Sequence, residues 1–136
     1  MVPKKLQQKS KANRGQALVE FALAISLLLI LLVGMLEFGF VFHTYLSLDH
    51  ASLEGARVGA LGGSDEAISA KVLEVVSQDV DPGIIQIKIT PQSGQRLRGH
   101  PLSVTVEYPR TFITPFGSVV GNGTLHLKAK AVMRIE

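Results

Sequence analysis

From Phe21 to Leu36 no residue carries a charge, and extending the run to Phe42 adds only Glu37. With Ala17–Glu20 included, this apolar stretch is long enough to cross a hydrocarbon core of about 30 Å as a helix. Proline is absent from Gln16 to Leu61, so the pattern predicts one helix of that extent, on the order of 70 Å long. Its second half turns amphipathic. Phe42, Leu46, Leu53, Ala56 and Ala60 fall on one stripe at helical period, predicting the buried face, with Asp49 close beside it. Gly62-Gly63 ends this helix, and Ser64 is a good N-cap for the next. In that short second helix Ile68, Val72, Val75 and Val76 form the apolar stripe, and Asp81-Pro82-Gly83 stops it. The period then changes to two. Ile85, Ile87 and Ile89 alternate with Gln86, Lys88 and Thr90. Leu102, Val104 and Val106 alternate with Ser103, Thr105 and Glu107. Leu125, Leu127, Ala129, Ala131 and Met133 alternate with polar residues up to Lys130. These are three half-buried strands joined by connections that suit antiparallel neighbours. Packing their apolar face on the helical stripe predicts an α+β fold: a long N-terminal helix whose inner half is transmembrane, a short second helix and a three-stranded antiparallel sheet.

Charge divides the chain at Gly15. The 136 residues have a net charge of +3, but residues 1–15 hold Lys4, Lys5, Lys9, Lys11 and Arg14 with no acid, which is +5. The remainder holds nine Lys/Arg against eleven Asp/Glu, which is −2. Residues 1–15 therefore read as a disordered basic leader, 16–42 as the membrane helix, and 43–136 as a head that includes the outer half of the long helix. A positive flank keeps the N-terminus cytoplasmic and puts the head on the exported side. The body shows no basic face interleaved with aromatics, which argues against nucleic acid as a partner. Cysteine is absent, which excludes thiolate metal sites and leaves stability to packing or partner subunits.

The apolar run is too long for a cleaved signal peptide, and no convincing small-residue cleavage site follows it. Gly15, at the charge boundary and without a side chain, is the expected processing site. Cleavage there makes Gln16 the first residue and Glu20 the fifth. A carboxylate at the start of a membrane helix is costly unless paired, so Glu20 is a functional candidate by default.

Arg14-Gly15-Gln16-Ala17-Leu18-Val19-Glu20-Phe21, followed by Glu37-Phe38-Gly39 and Leu53-Glu54-Gly55-Ala56-Arg57, resembles TadE-like proteins within the type IV pilin-like group. The resemblance is strong over residues 14–60 and extends loosely to the closing Ala131–Glu136 run. It implies a type IV pilin-like fold and a minor pilin or pseudopilin of the tight-adherence (Tad) pilus. It also implies cutting by a membrane prepilin peptidase, with roles in pilus assembly, adhesion and biofilm formation. The implied partners are the inner membrane, that peptidase, other pilins or pseudopilins and the assembly platform. Residue +1 is Gln16, where many type IV pilins carry Phe. Cleavage after Gly15 would free an α-amine one helical turn from Glu20. Pairing of the two, within a subunit or between neighbours, would set axial register, because a misplaced subunit leaves both charges unpaired. The bland alternative is that Glu20 snorkels to headgroups.

Other candidates are weaker. Glu37, about 25 Å along the helix from Glu20, reads either as an interfacial carboxylate reaching water at the outer boundary or as a subunit-pairing group. Phe21, Gly34, Gly39 and Ser26 are candidates for helix packing, although Gly34-x-x-x-x-Gly39 is not the usual small-residue spacing. His50 and Glu54 at i, i+4, with His43 further back, lack a third metal ligand at fixed spacing. Asp79 and Asp81 lack a calcium-loop signature and read as part of a helix stop. Asn122-Gly123-Thr124 matches a glycosylation sequon but reads first as a turn. The Phe112–Gly117 loop is expected to fold back on the sheet. No phosphate loop or nucleophile motif is present, so no cofactor and no catalysis are expected. Two competing readings remain: a membrane-anchored assembly or adhesion factor that keeps its leader and never enters a filament, and an exported enzyme on a signal anchor.

Overall fold

The structure, a computed structural model, describes residues 4–77, 80–114, 117 and 123–136. Helix α1 spans Lys4–Ala60 and α2 spans Asp65–Val76. After a 3-10 turn at Pro82–Ile84, strands β1 (Gln86–Thr90), β2 (Pro101–Thr111) and β3 (Thr124–Arg134) follow. The α+β class and the three-stranded antiparallel sheet agree with the hydrophobic pattern. The chain forms two units, Met1–Leu36 and Glu37–Glu136.

Helix α1 starts at Lys4, not at Gln16, so the leader is helical where disorder was expected. Lys, Gln, Leu and Ala are all good helix formers, and extending an existing helix avoids the unfavourable nucleation step. Among the described side chains of the first unit, the apolar ones are exposed apart from a half-buried Val33. Leu18, Phe21, Leu23 and Leu27 are each about two-thirds exposed. Such a helix is hydrophobic all round and needs lipid or other helices around it. One helix of the chain, Gly15–Ala60 among the described residues, is long and apolar enough to cross a membrane.

In the second unit, the core joins Leu48, Ala51 and Ala56 of α1, Ile68, Val72 and Val76 of α2, and Leu102, Val104, Val106, Leu127, Ala129 and Ala131 of the sheet. Strand alternation places these sheet residues on one face, as the period of two predicted. The α1 face differs from the expected stripe. Thr44, Leu48, Ala51, Ser52, Gly55, Ala56, Gly59 and Ala60 are buried, whereas Phe42, Leu46 and Leu53 are 56%, 50% and 40% exposed. Only Ala56 and Ala60 of the expected stripe lie inside. The reason is distance: a β-carbon on Gly55 would stand 2.6 Å from a Val72 methyl, and one on Gly59 would stand 2.8 Å from Ile68 Cδ1. The other elements approach α1 too closely for bulky residues, so the small face turns inward and the large one outward. The two buried hydroxyls stay satisfied within the helix: Thr44 donates to the Phe40 carbonyl at 3.0 Å and Ser52 to the Asp49 carbonyl at 2.8 Å.

The ends are built from local chemistry. The Gly63 amide reaches the Val58 carbonyl at 3.0 Å, and Gly62 adopts φ +87°, a left-handed helix stop. Ser64 caps α2 by accepting from the Ala67 amide at 3.2 Å. Asp81 accepts from the Gly83 amide at 2.9 Å; Asp79 lies outside the described residues. Arg96 ties the β1–β2 connection to the start of α2, pairing with Asp65 and donating to the Gly63 and Pro91 carbonyls. Strand β2 runs past the last β1 pair, Gln86↔Glu107, and so becomes an edge at Pro109, where a missing amide is tolerated.

On the outer face of the sheet, Lys128 Nζ lies 2.6 Å from Glu107 Oε1. This hydrogen bond, with the Lys128 charge, holds the Glu107 carboxyl below its ordinary value of 4.5. A lowered folded-state pKa adds stability that is present above the unfolded value and is lost as pH falls through the folded one. Both groups are well exposed, so the effect is small. On going from neutral pH to below 4.5, Lys128→Ala should therefore lose slightly less of its urea midpoint than the parent chain does. Equal losses in the two proteins would show that the pair contributes nothing.

Candidate functional site

The expected processing and registration residues sit on an open helix surface. Gly15 is exposed and nothing lies within 4 Å of where its β-carbon would be. One turn on, Gln16 Nε2 donates to Glu20 Oε1 at 3.1 Å. Glu20 is exposed and makes no ion pair among the described residues. Its neighbour is therefore the side chain of the residue that would become residue one, at the i, i+4 spacing that brings helix side chains together. Phe21 is 65% exposed, and Gly34 and Gly39 have open space beside them. Ser26 turns its hydroxyl back to the Ala22 carbonyl at 2.7 Å, which removes an unpaired polar group from the apolar surface.

Glu37 behaves differently from the expected boundary carboxylate. It is only 7% exposed. Its Oε1 accepts from the Ile113 amide at 3.1 Å and its Oε2 from the Thr114 amide at 3.2 Å. Two charge-assisted bonds offset the cost of burying the carboxylate and clamp the chain just after β2 onto α1. The local pattern carries no sign of this, since the partners lie 76 and 77 positions away.

A second contact lies beside it, also missed in the sequence. Arg110, on the inner face of β2, donates from Nη1 to Thr44 Oγ1 at 2.5 Å, and its guanidinium carbon lies 6.0 Å from the centre of the Phe40 ring. The only available signal was a cation at an inward strand position, with Thr44 and Phe40 one turn apart on α1. Of the Phe112–Gly117 loop, Phe112 is half-buried and Ile113 is 70% exposed, so the loop folds back only in part. Phe116 and Asn122 lie outside the described residues. Among the described residues no group of three or more His, Cys, Asp or Glu side chains is placed to hold a metal ion.

The arrangement offers an exposed glycine at a charge boundary, a carboxylate just over one turn later with no ion pair among the described residues, and an apolar helix surface exposed from Ala17 to Leu32. Length and apolar composition suit this helix to a membrane. Residues 15–57 match the family model described as TadE-like protein, a segment that begins at Gly15 and includes Glu20, Glu37 and the whole apolar run. No curated protein and no solved structure matches the chain.

Proposed function

We propose, from the premise that this chain is a TadE-like protein associated with the Tad pilus, that it is a structural minor pilin or pseudopilin of that pilus with no catalysis of its own. A prepilin peptidase cuts after Gly15. The apolar segment from Gln16 to Leu36 sits in the inner membrane with its N-terminus cytoplasmic, and the head, which begins at Glu37 and takes in Phe40, is exported. The processed chain then joins other pilins at the assembly platform and supports adhesion and biofilm formation. One observation carries the reading: the family match starts at the glycine of the expected cleavage site and covers Glu20 and the membrane helix. The exposure of Gly15 and the side-chain contact between Gln16 and Glu20 support it. After cleavage the Gln16 α-amine would lie one turn from the Glu20 carboxylate, close enough for an intrachain or intersubunit pair.

The test is N-terminal mapping of protein recovered from membranes and from sheared pili. The expected mature terminus is Gln16 in both. Protein that retains Lys4–Arg14 in both fractions overturns the reading and leaves a leader-bearing membrane anchor. Glu20→Ala should leave export intact while filament number falls sharply; normal piliation in that variant counts against a registering role for the carboxylate.

A further inference from the structure

The sheet of the second unit packs one face on the helices; on its other face the outward side chains of β1 and β3 are exposed, while Thr105 on the central strand is only 6% exposed. Among the described residues this outer face carries Lys88, Lys128, Lys130, Arg134 and His126 against one acid, Glu107, which Lys128 already neutralises. In register, Lys88 and Lys130 flank Thr105 in one row across all three strands. Two strand spacings separate them, about 10 Å. Neither forms an ion pair among the described residues.

The outer side of α2 has the opposite character. Its buried stripe, Ile68, Val72 and Val76, faces the core, so Glu66, Ala70 and Glu74 at i, i+4, i+8 face away from it, and all three are exposed. The two carboxylates are about 12 Å apart along the helix, with only a methyl between them. The backbone amide of Glu66 and the Ser64 hydroxyl hold the Glu66 carboxyl below its ordinary value. Glu74 shares Lys71 at 3.1 Å, an exposed i, i+3 pair that contributes little and exchanges readily.

We propose that the outer sheet face of one copy receives α2 of a second copy, with Glu66 and Glu74 over Lys88 and Lys130 and Ala70 over Thr105. Spacing and charge both match, and the small residue between the acids lets the helix lie flat on the strands. The two surfaces are different, one on the sheet and one on α2, so each copy offers one and accepts the other. Such a head-to-tail contact repeats without using itself up and generates a row of subunits. This deepens the filament reading above and rests on it.

The experiment uses the full chain in detergent micelles, with self-association followed by sedimentation at low salt. Lys88→Glu/Lys130→Glu and Glu66→Lys/Glu74→Lys should each weaken association at least about tenfold, since like charges then face each other. Mixing the two variants should restore it, because each again meets an opposite partner. Unfolding curves of both variants check that these exposed changes leave the fold intact, and the chain with all four reversals should associate like the parent. Unchanged association in either variant, or no rescue on mixing, overturns the proposal. So does the result that Lys88→Glu/Lys130→Glu alters only binding to anionic lipid vesicles, which would assign the basic face to an anionic surface. If Gln16 proves to be the mature terminus while the reversals do nothing, this contact falls and the pilin reading stands. A retained leader with rescue on mixing gives the converse.

Discussion

Glu37→Ala should lower the thermal unfolding midpoint of the head by roughly 10–20 °C. The carboxylate is 7% exposed and receives two backbone amides. Bonds to a charged acceptor contribute about 1.5–3 kcal/mol each, and removing the acceptor strands the donors. Ile113 is 70% exposed, so its amide can recover water, which holds the expected loss to about 3 kcal/mol. Glu37→Gln keeps one acceptor but places an NH2 where the second oxygen stood, so it should retain only part of the stability. Hydrogen exchange at Ile113 and Thr114 separates this clamp from a general loss of packing. Both amides should lose protection in Glu37→Ala well before the β2–β3 ladder does. An unchanged midpoint with both amides still protected would mean that the loop is held by something else.

The next largest effect is expected at Gly59, and its sign is the informative part. In an exposed helix, Gly→Ala stabilises by about 1 kcal/mol through helix propensity. Gly39 has open space around it, so Gly39→Ala should show that gain. At Gly59 the added methyl would run into Leu102 Cδ2 and Ile68 Cδ1, and both of those residues are fully buried. Overpacking of this kind costs about 1–3 kcal/mol, enough to reverse the propensity term. Gly59→Val adds two more carbons and loses further helix propensity, so a loss of about 3 kcal/mol or more is expected. Chemical denaturation of the three variants in detergent gives the ordering. A Gly59→Ala protein as stable as Gly39→Ala would show that α1 can move away from β2 without penalty.

The buried face of α1 shows why such sites escape a reading of the residues alone. A hydrophobic stripe is found by looking for large apolar side chains at helical spacing, and that rule selected Phe42, Leu46 and Leu53. The criterion that operates here is closeness of approach, which selects Gly55, Gly59, Ala51 and Ser52. The outward-facing Phe38, Phe42 and Leu46 then form an apolar surface left exposed among the described residues. Glu37 gives the second lesson. Its position at the end of an apolar run suggested water or a neighbouring subunit, and its ligands came instead from a loop far along the chain.

What the amino-acid order determined unaided was everything carried by local period and local charge. That includes the apolar span after a basic segment, the two helices and their stop signals, three alternating strands with the correct inward residues, and the glycine and acid pattern at Gly15 and Glu20. Those features depend on neighbours within a few residues, and 3.6-residue and two-residue repeats report them directly. Tertiary structure alone decided which side of α1 is buried and that Glu37 and Arg110 are held inside the head. It also brought Lys88 and Lys130 into one row across the outer face of the sheet. Each of these is a choice among partners distant in sequence. The energies that settle such choices, close packing and desolvated hydrogen bonds, exist only once those partners have met.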